Sequence, residues 1–314
     1  MLNNTDCVVM IWSNDAAGKV KSLFVICIIA SIFHLIFQLN LIAYSSVRQR
    51  SMQWLYAYLI TDFMLLIRFF LLYAYRWSSL CVPHLLRTII CYYEAMFDSY
   101  LNLLQSYILL ALNICRYFQV ARNYNVYLAK KHLIILGHIL IYILPLMYYV
   151  IALLVRELIL ERPQNDACDF IFMSITNQII FLLFSYFIPV IAAFIFLLLS
   201  LKHVRNTDGI QTQHIIDARL KYHRQLIIQS IVFYALWLLF WSPYLLLFPF
   251  YYRHSMAGTI TQALSYVSLG LDPIVIAALD VRFLRAWRST YNRIMQHIRP
   301  TRVQPIRAEI IPTY

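Results

Sequence analysis

The sequence contains seven apolar runs, each long enough to cross a lipid bilayer as a helix. A helix needs about 20 residues to span roughly 30 Å of hydrocarbon, because it rises about 1.5 Å per residue. Short polar stretches separate the runs, and only 13% of all residues are charged. The pattern therefore predicts an all-α membrane protein with seven transmembrane helices and no soluble domain. The predicted spans are 22–46, 53–75, 85–115, 132–155, 172–201, 225–250 and 258–279.

The distribution of basic residues predicts how the chain lies in the membrane. Most of its 26 lysines and arginines fall on one side, in the stretches after the first, third, fifth and seventh spans. Basic residues collect on the cytosolic side, so we expect an extracellular N-terminus and a cytosolic C-terminus in a multi-pass plasma-membrane protein. Asn3-Asn4-Thr5 is a glycosylation sequon, which predicts a glycan on Asn3. The net charge of +12 needs no nucleic-acid partner to explain it.

Four regions follow from this arrangement. We expect an extracellular tail at 1–20, the helix bundle at 21–280, an amphipathic eighth helix at 281–298 and a cytosolic tail at 299–314. In the eighth helix, arginines alternate with apolar residues, as is typical of a helix that lies on an anionic bilayer surface.

Two of the six cysteines fall where a disulfide can persist. Cys91 begins the third span on its outer side, and Cys168 lies in the outer loop before the fifth span. The extracellular compartment is oxidising, so a disulfide is one interpretation and two unrelated thiols is the other. Cys7 and Cys81 also fall outside and are candidates for a second bridge.

Several short motifs occur in a fixed order along the spans. Cys115-Arg116-Tyr117 ends the third span, with Arg116 lying 25 residues after Cys91. The others are Asp62, Pro189, Phe240-Trp241-Ser242-Pro243-Tyr244 and Leu271-Asp272-Pro273. Over about residues 20–296 this set resembles the rhodopsin-like (class A) G-protein-coupled receptors.

The resemblance implies roles for the middle of the bundle. It implies a Cys91–Cys168 disulfide and helix hinges at Pro189, Pro243 and Pro273, since proline removes a backbone donor and bends a helix. It also implies a sodium ion near the buried acids, held by Asp62, Asp272, Gln105 and Ser268. Two carboxyls that share one proton would satisfy the same chemistry, so both alternatives stay open.

The outer half of the third span carries two acids on one helix face, Glu94 and Asp98. Asp98 precedes Arg116 by 18 residues, about 27 Å along a helix. The resemblance implies that such an acid pairs with a protonated amine, and Trp241, Tyr244 and Tyr266 would offer aromatic contacts. We therefore expect a small molecule or short peptide, with a positive charge as one hypothesis. The alternative is an internal ion pair with Arg68.

The cytosolic end departs from the family pattern. Cys115 stands where an acid is usual, and Ile276 stands where a tyrosine is usual. These departures predict either raised basal signalling or poor coupling, and the second outcome would make the chain a non-coupling decoy or scavenging receptor. The resemblance implies a heterotrimeric G protein as the partner, with contacts at Arg116, Tyr117, Arg122, Lys221 and Arg224.

Two other classes fit the sequence less well. A transporter would also bury acids, but no inverted repeat is visible and the chain has only 5 glycines for interrupted helices. A membrane metallohydrolase needs clustered ligands, whereas the 9 histidines are scattered. We therefore expect no enzyme activity and no cofactor beyond the sodium ion.

Overall fold

The structure is a computed structural model of the 314-residue chain. It describes residues 7–45, 47–48, 50–121, 127, 130–161, 167–207, 215–247 and 256–298. The predicted glycan at Asn3 and the predicted G-protein contact at Arg122 lie outside these residues. We name the two ends of the bundle outer and cytosolic, following the orientation predicted from the basic residues.

Eight helices occur in the described part of the chain, and seven of them form the bundle. The fifth helix, α5, has three consecutive segments because a π-helical turn interrupts it. The bounds are α1 Asn14–Ala43, α2 Gln53–Trp77, α3 His84–Ala121, α4 Lys131–Leu154, α5 Ile175–Leu182 with Leu183–Phe187 and Ile188–Thr207, α6 Ile215–Leu247, α7 Met256–Leu279 and α8 Val281–Ile298.

The predicted all-α bundle is confirmed, with one informative difference in polarity. Six helices of the described residues are apolar enough to span a membrane by composition alone, and α3 is not among them. Polar residues such as Asn102, Gln105 and Asn113 lower the hydropathy of α3, and they are buried. Because α3 contacts α2, α4, α5 and α6, its neighbours shield these groups from lipid.

The three prolines predicted as hinges lie within helices. Pro243 and Pro273 are inside α6 and α7, and Pro189 follows directly on the π-helical turn of α5. A fourth proline, Pro145, lies inside α4. Each removes one backbone donor from its helix, so four of the seven helices carry a local break in their hydrogen-bond ladder.

Two short antiparallel hairpins cover the outer end. Strand β1 (Cys7–Val9) pairs with β2 (Cys81–Pro83), and β3 (Leu158–Glu161) pairs with β4 (Asp169–Phe172). A disulfide joins Cys91 to Cys168, so the loop before β4 is tied to the outer part of α3. Cys81 is also disulfide-bonded. The first of these bonds is the pair that the sequence favoured.

Candidate functional site

An outer cavity lies beneath the loop that carries Cys168. It has a volume of about 130 Å³, and residues of α1, α2, α3, α6 and α7 enclose it. Its polar lining includes Arg68 and Asp98, and its aromatic lining includes Tyr244 and Tyr266. The full lining is Trp12, Ala16, Lys19, Val20, Leu23, Arg68, Phe69, Leu72, Tyr73, Glu94, Asp98, Ala167, Cys168, Asp169, Tyr244, Thr259, Gln262 and Tyr266.

Asp98 is bonded to three neighbours inside the protein. The Nη1 atom of Arg68 lies 2.7 Å from Asp98 Oδ1. The Tyr244 hydroxyl donates to Asp98 Oδ2 at 3.1 Å, and the side-chain amide of Asn102 donates to the same oxygen at 3.4 Å. The internal ion pair, which the sequence left open as an alternative, is therefore the arrangement in the structure.

Arg68 is held by the backbone as well as by Asp98. Its Nε and Nη2 atoms donate to the Glu94 carbonyl oxygen at 3.2 Å and 2.6 Å. Two hydrogen bonds to one carbonyl oxygen thus hold the guanidinium against α3, and neither involves the Asp98 carboxylate. This geometry fixes the group at the wall of the cavity.

A second ion pair, which is less exposed than the first, connects α2 to α3. Arg76 Nη2 lies 2.6 Å from Glu94 Oε2, and the two side chains are 0% and 2% exposed. The same Glu94 oxygen accepts from the Cys168 backbone N–H at 3.0 Å. Trp12 covers the guanidinium, whose Cζ atom is 4.6 Å from the ring centroid. Glu94 lines the cavity as predicted, but its carboxylate also holds the covering loop.

The floor of the outer cavity is aromatic. A separate small cavity of about 10 Å³ is lined by Asp98, Trp241, Tyr244 and Tyr266, and all of these except Trp241 also line the outer cavity. Trp241 is buried, and its ring meets that of Tyr244 edge-on with centroids 6.1 Å apart. Trp241 lies two residues before Pro243 on the same helix, so this floor adjoins the bend of α6.

Two buried acids meet in the middle of the bundle. The Tyr58 hydroxyl donates to Asp272 Oδ2 at 3.0 Å, and the Gln105 amide donates to Asp62 Oδ1. The Asp62 and Asp272 carboxyls interact with each other. Among the described residues, Asp62 Oδ2 and Gln105 Oε1 find no hydrogen-bond donor.

A buried carboxylate oxygen without a donor is unfavourable unless a cation or a proton satisfies it. A sodium ion bound at the acids, or a proton shared between the Asp62 and Asp272 carboxyls, would each do so, so the residues present fit both alternatives. Ser268, predicted to complete the set, is also buried.

At the cytosolic end, Arg116 bridges two helices. Its guanidinium donates to the Ser230 hydroxyl on α6, and both residues are buried. A small apolar cluster of Val120, Val204 and Ile227 joins α3, α5 and α6 nearby. We call Arg116, Ser230 and these three apolar residues the cytosolic junction.

The residue beside Arg116 contributes no charge to this junction. The Cys115 side chain is a buried free thiol. The sequence correctly indicated that a carboxylate is missing here, but it did not find Ser230. No signal in the sequence distinguishes Ser230 from the other serines in apolar helices.

Among solved structures, squid rhodopsin is similar to this chain with a TM-score of 0.66. The match covers 93% of this chain and 90% of that chain, at 13% sequence identity. The chain has the rhodopsin fold. No protein family matches the sequence, and no curated protein matches it either. Identity this low establishes the architecture and leaves function to be argued from the sites.

The rhodopsin fold brings the predicted site residues together in three places. Five of the six predicted ligand residues line the outer cavity, and the sixth, Trp241, lines the small cavity beside it. The two acids meet in the middle of the bundle, and the cytosolic junction contains Arg116. Tyr117 packs beside this junction, with its ring centroid 5.6 Å from that of Phe196. Arg224 is exposed on α6, and Lys221 lies on the same helix with its side chain outside the described part.

Proposed function

We propose that this protein is a G-protein-coupled receptor of the plasma membrane, with an extracellular N-terminus and a cytosolic C-terminus. An extracellular small molecule or short peptide binds in the outer cavity, and the bound state activates a heterotrimeric G protein. One observation carries the proposal: a single helix, α6, makes a polar contact at both sites. Its Tyr244 binds Asp98 in the cavity, and its Ser230 binds Arg116 at the cytosolic junction.

The two contacts on α6 lie 14 residues apart, about 21 Å along the helix. Trp241 and Pro243 lie between them, so the bend is next to the cavity floor. A ligand that repositions Tyr244 or Trp241 changes the angle of the bend and therefore the position of Ser230. When Ser230 leaves Arg116, the cytosolic ends of α3, α5 and α6 separate and open a cleft. Arg122, Lys221 and Arg224 then contact the G protein at its rim.

The ligand acts by binding one arrangement more tightly than the other. It can shift the equilibrium only by the ratio of its affinities for the closed and open states. A positively charged ligand, as the sequence suggested, must compete with Arg68 for the Asp98 carboxylate. A charged ligand that pairs with Asp98 or Arg68 must therefore break the Arg68–Asp98 ion pair, and the energy of doing so reduces its affinity.

A non-coupling decoy or scavenging receptor is the second candidate function. The observations that favour it are the buried thiol of Cys115 beside Arg116 and the buried Ile276 on α7. Neither side chain matches the acid or the tyrosine that the family pattern has at these positions, and poor coupling is one of the two outcomes that these departures predict. Such a protein would bind ligand in the same cavity without activating a partner.

Second-messenger output separates the two candidates. Cyclic AMP and calcium are measured without ligand in cells that express wild type, Arg116→Ala or Arg224→Ala at matched surface levels. A receptor that couples gives more output in wild type than in Arg116→Ala, while the exposed Arg224→Ala changes output less. Equal output from wild type and Arg116→Ala, together with no recruitment of purified G protein, would favour the decoy.

A further inference from the structure

Two ion pairs lie at the outer cavity, and they differ in how much of their side chains is exposed. Arg76 and Glu94 have side chains that are 0% and 2% exposed. Arg68 and Asp98 have side chains that are 11% and 22% exposed, and both line the cavity. Glu94 also lines the cavity, but the charged groups of the first pair are almost completely covered, so a ligand has more access to the charges of the second pair.

A ligand with a single charge fits this pair poorly. A ligand ammonium that pairs with the Asp98 carboxylate leaves the Arg68 guanidinium without its counterion. A ligand carboxylate that pairs with Arg68 leaves the Asp98 carboxylate without its counterion. Removing one partner from a buried ion pair is strongly unfavourable, because the remaining charge has lost both its water and its neighbour.

When the pair opens, each of its two groups can retain other hydrogen-bond partners. Arg68 keeps its two bonds to the Glu94 carbonyl through Nε and Nη2. Asp98 keeps its bonds from Tyr244 and Asn102 through Oδ2. Opening the pair therefore exposes one fixed donor, Arg68 Nη1, beside one fixed acceptor, Asp98 Oδ1.

We propose that the outer cavity binds a small zwitterion, whose ammonium pairs with Asp98 and whose carboxylate pairs with Arg68. The ligand inserts both charges between the two side chains, so each keeps a counterion. The cavity of about 130 Å³ suits a molecule of amino-acid size, and Trp12, Phe69 and Tyr73 provide an apolar wall for its side chain. The inference rests on the proposed function only in using the same cavity.

Matched probes test this inference by direct binding to the purified full-length protein in lipid nanodiscs. The probes are L-phenylalanine, phenethylamine and 3-phenylpropionate. They share a phenyl ring on a two-carbon chain and carry, respectively, both charges, the ammonium alone and the carboxylate alone. L-leucine, isopentylamine and 4-methylpentanoate form a second set. Isothermal titration calorimetry gives each affinity without a G protein. We expect at least one amino acid to bind tenfold or more tightly than both of its analogues.

Two variants should change this preference in opposite directions. Arg68→Gln removes the competitor for Asp98, so the amine gains affinity and the amino acid loses its advantage. Asp98→Asn removes the competitor for Arg68, so the carboxylate probe gains affinity and the amino acid loses its advantage. Lys21→Gln, on the exposed side of α1 and outside the cavity lining, should leave the order unchanged. Thermal unfolding of each variant confirms that it is folded.

Two outcomes would overturn the inference. One is an amine or carboxylate probe that binds wild type as tightly as its amino acid, and the other is no binding by either amino acid. Because binding is measured alone, a protein that binds zwitterions but fails to signal contradicts the proposed coupling and not this inference. Arg116-dependent signalling without zwitterion binding contradicts this inference and not the coupling.

Discussion

Ser230→Ala should raise ligand-free signalling, because it removes a bond made only when α3 and α6 are close. The bond joins a charged donor to a hydroxyl, and both residues are buried. Hydrogen bonds to charged groups contribute about 1.5–3 kcal/mol, and every 1.4 kcal/mol or so is a factor of ten in an equilibrium. The open state should therefore gain roughly tenfold to a hundredfold over the closed state. From an open fraction of about 1%, in the usual range for a minor state, tenfold gives about 9%.

The assay is G-protein activation without ligand, in cells with matched surface levels of wild type and variant. Ser200→Ala is the matched control, since Ser200 is a buried serine on α5 whose hydroxyl bonds to the Phe196 carbonyl of its own helix. Its removal breaks no contact between helices. Ser230→Ala should therefore raise output about fivefold or more, and Ser200→Ala should leave it near wild type.

A distance measurement tests the same reasoning without a G protein. Spin labels at Lys131 on α4 and Gln225 on α6 report the position of the cytosolic end of α6, and both sites are exposed. The free thiols of Cys27 and Cys115 are buried and should label poorly. We expect a second, longer distance to become populated in Ser230→Ala. Unchanged distances with unchanged output, or an equal rise in the Ser200→Ala control, would refute the reasoning.

Three further predictions concern stability. Glu94→Gln should lower the free energy of unfolding by roughly 3–5 kcal/mol, because Arg76 stays buried without a counterion; chemical denaturation would show no change if the pair were unimportant. Gly270→Ala should lower the free energy of unfolding, since its Cβ would lie 3.3 Å from a side chain of α1. In the control Gly18→Ala the new Cβ meets nothing within 4 Å, so the free energy of unfolding should rise by up to about 1 kcal/mol. Replacing sodium chloride by choline chloride should lower the thermal midpoint of wild type but not of Asp62→Asn; equal midpoints for wild type in both salts would favour the shared proton.

Hydropathy predicted the bundle well, and its errors have a common cause. It locates the part of a helix that faces hydrocarbon, not the whole helix. Helix α1 therefore begins at Asn14 and α6 at Ile215, earlier than the predicted spans at 22 and 225. The same limit explains α3, whose polar residues are hidden among its neighbours. Its span was predicted as an apolar run at 85–115, although its hydropathy is lower than that of the other six.

The outer site was predictable in its residues but only partly in its bonds. Helical spacing placed Glu94 and Asp98 on one face, yet spacing within one helix cannot show which residue of α2 each acid meets. Arg68 was a visible candidate for Asp98. Arg76 was not, because it lies near the end of α2 and looked like an interfacial residue. Only the packing of α2 against α3 makes it the partner of Glu94.

Ser230 shows why the sequence predicted Arg116 at the cytosolic junction but not its partner on α6. A charged side chain inside a bundle needs a partner, so the sequence prompted a search for an acid near Arg116, and Cys115 is not one. A hydroxyl is a weaker acceptor than a carboxylate and carries no charge, so the resulting bond should hold α6 less firmly than an ion pair would. This bond contributes to the closed state together with the apolar contacts of Val120, Val204 and Ile227. An output from Ser230→Ala above that of wild type would therefore favour raised basal signalling over poor coupling, the two outcomes that the departure at Cys115 predicts.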